Sequence, residues 1–127
     1  MAQPDAYRGA LEAVDRILNR EPEADEVLRQ TVAVLHDRID DFAWVGLSFV
    51  EEGELVLGPR QGDEGAGTEA IEIPVVYQGG HMANLGVRSN RAFTTEDRGF
   101  LERVALLISA HCLVGWDTGG VPWSDVG

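Results

Sequence analysis

The chain contains no lysine. Its ten basic residues are all arginine, against 22 acidic ones, for a formal net charge of -12 over 127 residues. A surface of that sign repels phosphate backbones and anionic lipid, so neither nucleic acid nor membrane is an expected partner. Solubility is the simplest reading of the acidity. There is one cysteine, Cys112, and so no intrachain disulfide. No apolar run approaches the ~20 residues that span a bilayer. The opening MAQPDAYRG lacks the basic start and apolar stretch of a signal peptide. The expected compartment is the cytoplasm.

The hydrophobic fraction of 44% is ordinary for a globular protein. A chain of this length buries roughly two-thirds of its unfolded surface and holds a core without staples. No internal repeat is visible. Residues 1–114 read as one domain and 115–127 as a tail that carries Trp116 and Trp123.

Tyr7, Leu11, Val14 and Leu18, with Ala10 and Ile17 beside them, predict a first helix from about Pro4 to Asn19. Pro22 breaks it. Ala24, Leu28, Thr31, Val32, Leu35 and Ile39 predict a second, over about Glu23 to Arg38, with acids in its first turn where the helix dipole favours them. Phe42 to Val50 is rich in aromatic and branched residues and predicts a strand, paired as a hairpin with Glu54 to Gly58. Gln61 to Glu69 is polar and glycine-rich, and is expected to be a loop without packing. Ala70 to Tyr77 and His81 to Ser89 predict two further strands around Gln78-Gly79-Gly80. Pro74 cannot donate to a ladder and belongs at an edge or a bulge. Thr94, with Asp97 three residues on, forms a capping-box pattern that opens a last helix running to about Val114.

The order helix, helix, hairpin, hairpin, helix resembles a GAF domain with its middle removed. Trp44-Val45-Gly46 and the run Leu55-Val56-Leu57-Gly58-Pro59-Arg60-Gln61-Gly62 resemble the WVGFY and LVLGPFQG segments of free methionine-R-sulfoxide reductases, a GAF family. Thr95-Glu96-Asp97-Arg98, leading into Phe100-Leu101-Glu102, looks like the start of the closing GAF helix. The resemblance implies an α+β fold, a shortened GAF-like domain whose mostly antiparallel four-stranded sheet packs against N- and C-terminal helices on one face. It also implies losses. The reductases carry a long segment with redox cysteines after the GPxQG strand, and here a short loop stands in its place. The family's glutamate falls on Ala70, its paired aspartates fall on Gly86 and Arg88, and an aromatic that helps hold substrate falls on Ser48. Trp44 alone remains of the pocket residues.

Sulfoxide reduction needs a thiolate nucleophile and usually a resolving thiol. Cys112 lies on the closing helix among apolar and acidic neighbours and reads as a buried structural cysteine. His36 and Asp40 stand at helical i, i+4 spacing but gain no further metal-ligating partner, so they read as a solvated helix end. His81 reads as a turn residue. His111 shares a stripe with Phe100 and Val104 and is expected to be packed and hydrogen-bonded. No nucleophile-elbow motif surrounds Ser48. The loop GDEGAG lacks the Gly-Lys-Ser/Thr ending of a phosphate loop. No catalytic residue, metal site or cofactor is therefore expected.

Three readings follow. The first is a non-enzymatic regulatory or protein-interaction module acting as a homodimer, with a further protein partner open. Helical spacing places Leu106, Ala110 and Leu113 opposite the core stripe, with Glu102 and Ser109 beside them, and this outer stripe is the expected dimer seam. The alternative is a small-molecule sensor that binds on the sheet face at Trp44 and Ser48. The third is a residual reductase.

Overall fold

The computed structural model describes residues 4–112. The two N-terminal helices form where apolar spacing places them: α1 spans Pro4–Arg20 and α2 spans Ala24–Arg38. On α1, Ala10, Val14 and Ile17 are buried, and Tyr7, Leu11 and Leu18 pack partly against the core. On α2, Val27, Leu28, Thr31, Val32 and Leu35 are buried. Pro22 lies in the short link between them, where the missing N–H costs no helical bond.

Four antiparallel strands follow: β1 (Phe42–Glu51), β2 (Glu54–Gly62), β3 (Glu69–Tyr77) and β4 (Gly80–Ser89). Their order in the sheet is β2-β1-β4-β3. Both hairpins close through two residues of positive φ, Glu52-Gly53 and Gln78-Gly79. That is the requirement of a type I′ turn, whose twist matches the strands. Pro74 lies on β3, an edge strand, as its missing donor demands.

Strand β2 runs to Gly62, four residues past the expected end at Gly58. The pairing steps from Gly46↔Arg60 to Ser48↔Leu57, so Gly58 and Pro59 together face Leu47 alone. This bulge absorbs the proline and lets the strand continue. Gly58 is required there, because a Cβ would stand 2.5 Å from the Phe49 ring.

The period of two assigns the sheet faces. Val45, Leu47 and Phe49 of β1, with Ala83, Leu85 and Val87 of β4, point into the core. Helix α2 packs on β1 and β2, and α3 (Thr95–Ile108) packs on β3. Helix α1 packs on α2 and α3. The layers are thus sheet, then α2 and α3, then α1.

The capping box of α3 is present, with Thr94 Oγ1 accepting from the Asp97 amide and the Asp97 carboxylate accepting from the Thr94 amide. The same carboxylate is 2% exposed and is the centre of a wider network. It accepts from Arg91 Nη1 at 2.7 Å and Nη2 at 3.2 Å, and from the Tyr7 hydroxyl. Arg91 also donates from Nε to Asp41 at 2.7 Å, and Tyr7 stacks on Phe100 with ring centroids 4.2 Å apart. One buried aspartate thereby ties α1, the loop before β1, the segment after β4 and α3. Burial alone would raise its pKa, but the hydrogen bonds from Arg91, Tyr7 and Thr94 outweigh that and hold it well below the usual carboxylate range.

The last helix differs from expectation. It ends at Ile108 and tightens into a 3-10 turn, Ser109–Cys112. Ser109 is buried rather than lying beside the outer stripe, and its hydroxyl donates to the Leu106 carbonyl. The tighter winding also turns Ala110 further from Leu106 than the about 40° of a continuous α-helix. Leu106 and Ala110 are both exposed. Leu113, Val114 and the tail 115–127 lie outside the described residues. His111 is half-buried, and its Nδ1 is buried with no hydrogen-bond partner among the described residues, against the expectation of a bonded histidine.

Candidate functional site

The face of the sheet turned away from the helices carries Trp44, Gly46 and Ser48 from β1. Cross-strand pairing sets Trp44 beside Arg88, Gly46 beside Gly86 and Ser48 beside Asn84. The next pairing sets Ala70 beside Arg88 and Glu72 beside Gly86. These residues line one cavity of about 130 Å³, with Leu57 and Glu64 at its margins. All five positions that the family resemblance selects, Trp44, Ser48, Ala70, Gly86 and Arg88, therefore meet in one place.

Trp44 is 8% exposed, yet it stands outside the main core cluster. Its indole lies across the glycine row. A Cβ on Gly46 would stand 2.5 Å from Trp44 Cη2, whereas one on Gly86 would stand 3.4 Å from the ring. The tryptophan is thus both packed on the sheet and a wall of the cavity. Ser48 is half-buried, and its cross-strand neighbours are Leu57 and Asn84, neither of them a base.

Arg88 does not point a free charge into the cavity. Its Nε donates to the Ala66 carbonyl at 3.0 Å and its Nη2 to the Gly67 carbonyl at 3.4 Å. The loop 63–68 is further fixed by Thr68 N donating to Ser89 O at 2.9 Å and by an Asx turn in which Asp63 Oδ1 accepts from Gly65 N at 3.0 Å. Gly67 has a φ of +86° and lies too close to the Ser89 backbone for a side chain. The expectation of an unpacked loop is corrected. Arg88, which the family resemblance sets against a carboxylate of the reductases, grips the loop, and no sequence pattern signals that.

Along the rim, Asn84 Nδ2 donates to Glu72 Oε1 at 3.0 Å and His81 Nε2 lies 2.6 Å from Asn84 Oδ1. The carboxylate fixes the amide orientation, so His81 Nε2 is the donor. This chain is exposed. Cys112 lies across the sheet, buried among the core residues, and burial pushes its thiol up to about 12. His36 faces the end of β2 and touches Asp37 at 3.4 Å; no group of three metal-ligating side chains occurs among the described residues.

No protein-family model matches the chain, and no curated protein matches it. Solved structures do. A Burkholderia vietnamiensis protein described as a GAF sensor superposes with a TM-score of 0.79 at 21% identity, over 87% of this chain and 90% of that one. The fold is GAF-like. Free methionine-R-sulfoxide reductase from Neisseria meningitidis, solved with its substrate, gives 0.77 at 20% identity over 89% and 93%. The GAF domain of an Acinetobacter phosphoenolpyruvate-protein phosphotransferase gives 0.68 at 15% over 89% and 95%. GAF-like neighbours of this chain thus include regulatory domains and an enzyme, and the shared fold does not choose between them. Among the described residues no helix is long and apolar enough to cross a membrane.

Proposed function

We propose that this GAF-like domain is a non-enzymatic regulatory or protein-interaction module that works as a homodimer. The observation that carries the reading is the state of the cavity. At about 130 Å³ it lies below the ~300 Å³ at which drug-sized ligand sites begin. Trp44 lies across the glycine row, Ala70 and Gly86 stand where the family resemblance implies groups that grip a substrate, and Arg88 is spent on loop carbonyls. On the family resemblance the reductase segment with its cysteines falls on the short loop 63–68, which has no cysteine, and the Cys112 thiol is buried behind the sheet.

The dimer seam rests on a different surface. Leu106 is 69% exposed on α3 and shares a groove with Pro74 and Val76 of β3, Val76 itself being 47% exposed. Exposed leucine and valine on one groove, with Glu102 also in its lining, form a patch that a second copy would cover, and exposed Ala110 is proposed as part of the same seam. Leu113 is the further member of this proposed seam.

The second reading, a sensor of a small molecule at Trp44 and Ser48, is favoured by the convergence of so many outer-face residues on one cavity. Glu64 and Glu72 would select a neutral or cationic ligand of a few heavy atoms. Incubation with free methionine-R-sulfoxide and dithiothreitol separates these readings from an enzyme. No turnover is expected. Turnover above background that Cys112→Ser abolishes would overturn the non-enzymatic reading.

A further inference from the structure

A groove of about 410 Å³ runs between α1 and α2 on the side of the molecule remote from the sheet cavity. Its apolar lining is Ala13 and Ile17 of α1 with Ala33 and Val34 of α2. Its rim carries three arginines, Arg16 and Arg20 one turn apart on α1 and Arg38 on α2. All three are exposed, and none forms an ion pair among the described residues. Arg38 reaches across to α1 and lies 3.5 Å from where a Cβ on Gly9 would be, so the rim is continuous between the helices.

The charge pattern runs against the composition. Acids outnumber arginines by 22 to 10, so a surface arginine placed at random readily meets a carboxylate. Arg8, Arg29, Arg91 and Arg98 do so, and Arg60, Arg88 and Arg103 form no ion pair among the described residues either, so what marks the groove is the gathering of three such arginines on one rim. Arg16 and Arg20 instead repel each other at i, i+4 spacing, a small cost to the helix. Asp37 is the one acid on the groove lining, and its carboxylate lies against His36.

We infer that this groove docks an acidic amphipathic helix of a partner protein. Both walls are helices and offer no free strand edge, so the recognition mode is helix in groove. The wall from Ala13 to Arg20 is about 10 Å long at 1.5 Å per residue, which accepts two turns of helix. The occupant presents two apolar side chains one turn apart to the alanines, Ile17 and Val34, and flanks them with Asp or Glu facing the guanidiniums. A long polyanion or an anionic bilayer would meet the surrounding acidic surface, whereas a short segment meets chiefly the three guanidiniums, with Asp37 the acid on the lining and Glu21 bonded to Gln30 beside it. The inference rests on the interaction-module reading but uses a surface separate from the α3 seam, so the two fail independently.

The test uses two fluorescein-labelled amphipathic peptides of roughly 15 residues, about four turns. One is built from Leu, Ala and Glu, and the other from Leu, Ala and Lys. Fluorescence anisotropy against the full chain should show binding of the Glu peptide, weakening with salt, and no binding of the Lys peptide, although net charge alone would favour the latter. Arg16→Gln with Arg20→Gln and Arg38→Gln should weaken the Glu peptide by at least about tenfold. Arg98→Gln with Arg103→Gln, which remove two charges elsewhere, should leave it unchanged, and so should Leu106→Glu. Preference for the Lys peptide, or undiminished binding by the folded triple variant, would overturn the proposal. Loss of self-association in the triple variant would also overturn it, since the occupant would then be a second copy. If the triple variant unfolds, Arg16→Gln and Arg20→Gln singly decide, each expected to weaken binding.

Discussion

Replacing Asp97 by asparagine removes the charge at the junction of α1, α3 and the segment between β4 and α3 while preserving shape. The wild-type carboxylate accepts from two Arg91 nitrogens, the Tyr7 hydroxyl and the Thr94 amide. An asparagine offers one acceptor oxygen and points an N–H₂ at groups that are themselves donors. Breaking a buried pair by removing one partner costs about 3–5 kcal/mol. Arg91 has a side chain 33% exposed and keeps Asp41, so the lower end applies. We expect a loss of about 3 kcal/mol, a fall in Tm of about 10–15 °C for a domain of this size. Tyr7→Phe keeps the stack on Phe100 and loses one bond to a charged acceptor, about 1.5 kcal/mol. The double variant should lose less than the sum, because both act through one carboxylate. Urea unfolding followed by circular dichroism measures all three. A loss below about 1 kcal/mol for Asp97→Asn would refute the network as a determinant of stability.

The same network bounds the pH range. Asp97 titrates below its unfolded value of about 3.9, so its contribution is present above that pH and is lost as pH falls through the folded value. Tyr7 is raised above about 10 by burial and by its bond to Asp97, so its contribution is present below that pH and is lost on further rise. Stability should therefore be flat with respect to these groups between the two limits and fall on either side. Gly46→Ala should cost about 1–3 kcal/mol by driving a methyl into Trp44, whereas Gly86→Ala, at ordinary contact distance, should cost less than about 1; chemical denaturation of both variants checks the contrast. Arg88→Ala should free the loop 63–68, with a loss of about 1–2 kcal/mol and faster amide exchange at Thr68, and unchanged exchange there would contradict the loop's anchoring.

What the sequence disclosed was local. The strands show as period-two and β-branched runs, the turns as Glu-Gly and Gln-Gly pairs, the start of α3 as Thr94 with Asp97, and the edge position of β3 as Pro74. Strand β2 reads short in the sequence because Gly58-Pro59 has the composition of a turn, and only the pairing with β1 turns it into a bulge. The outer-face positions were legible through family resemblance, but their contents were not. Arg88 reads as a lost carboxylate until its guanidinium is seen on the carbonyls of Ala66 and Gly67. The Tyr7–Asp97 bond joins residues 90 apart, and the arginine groove joins two helices, so neither follows from spacing along one element. The end of α3 at Ile108 is not legible in the sequence, because an apolar run does not distinguish 3.6 from 3.0 residues per turn.

The central claim, a homodimer that acts by interaction, is tested most directly by sedimentation equilibrium of the full chain beside Leu106→Glu. The account predicts twice the chain mass of 13.8 kDa for the wild type and the single mass, with an unchanged circular dichroism spectrum, for the variant. A wild type that sediments as a monomer at high micromolar concentration would contradict it, as would a variant that remains dimeric.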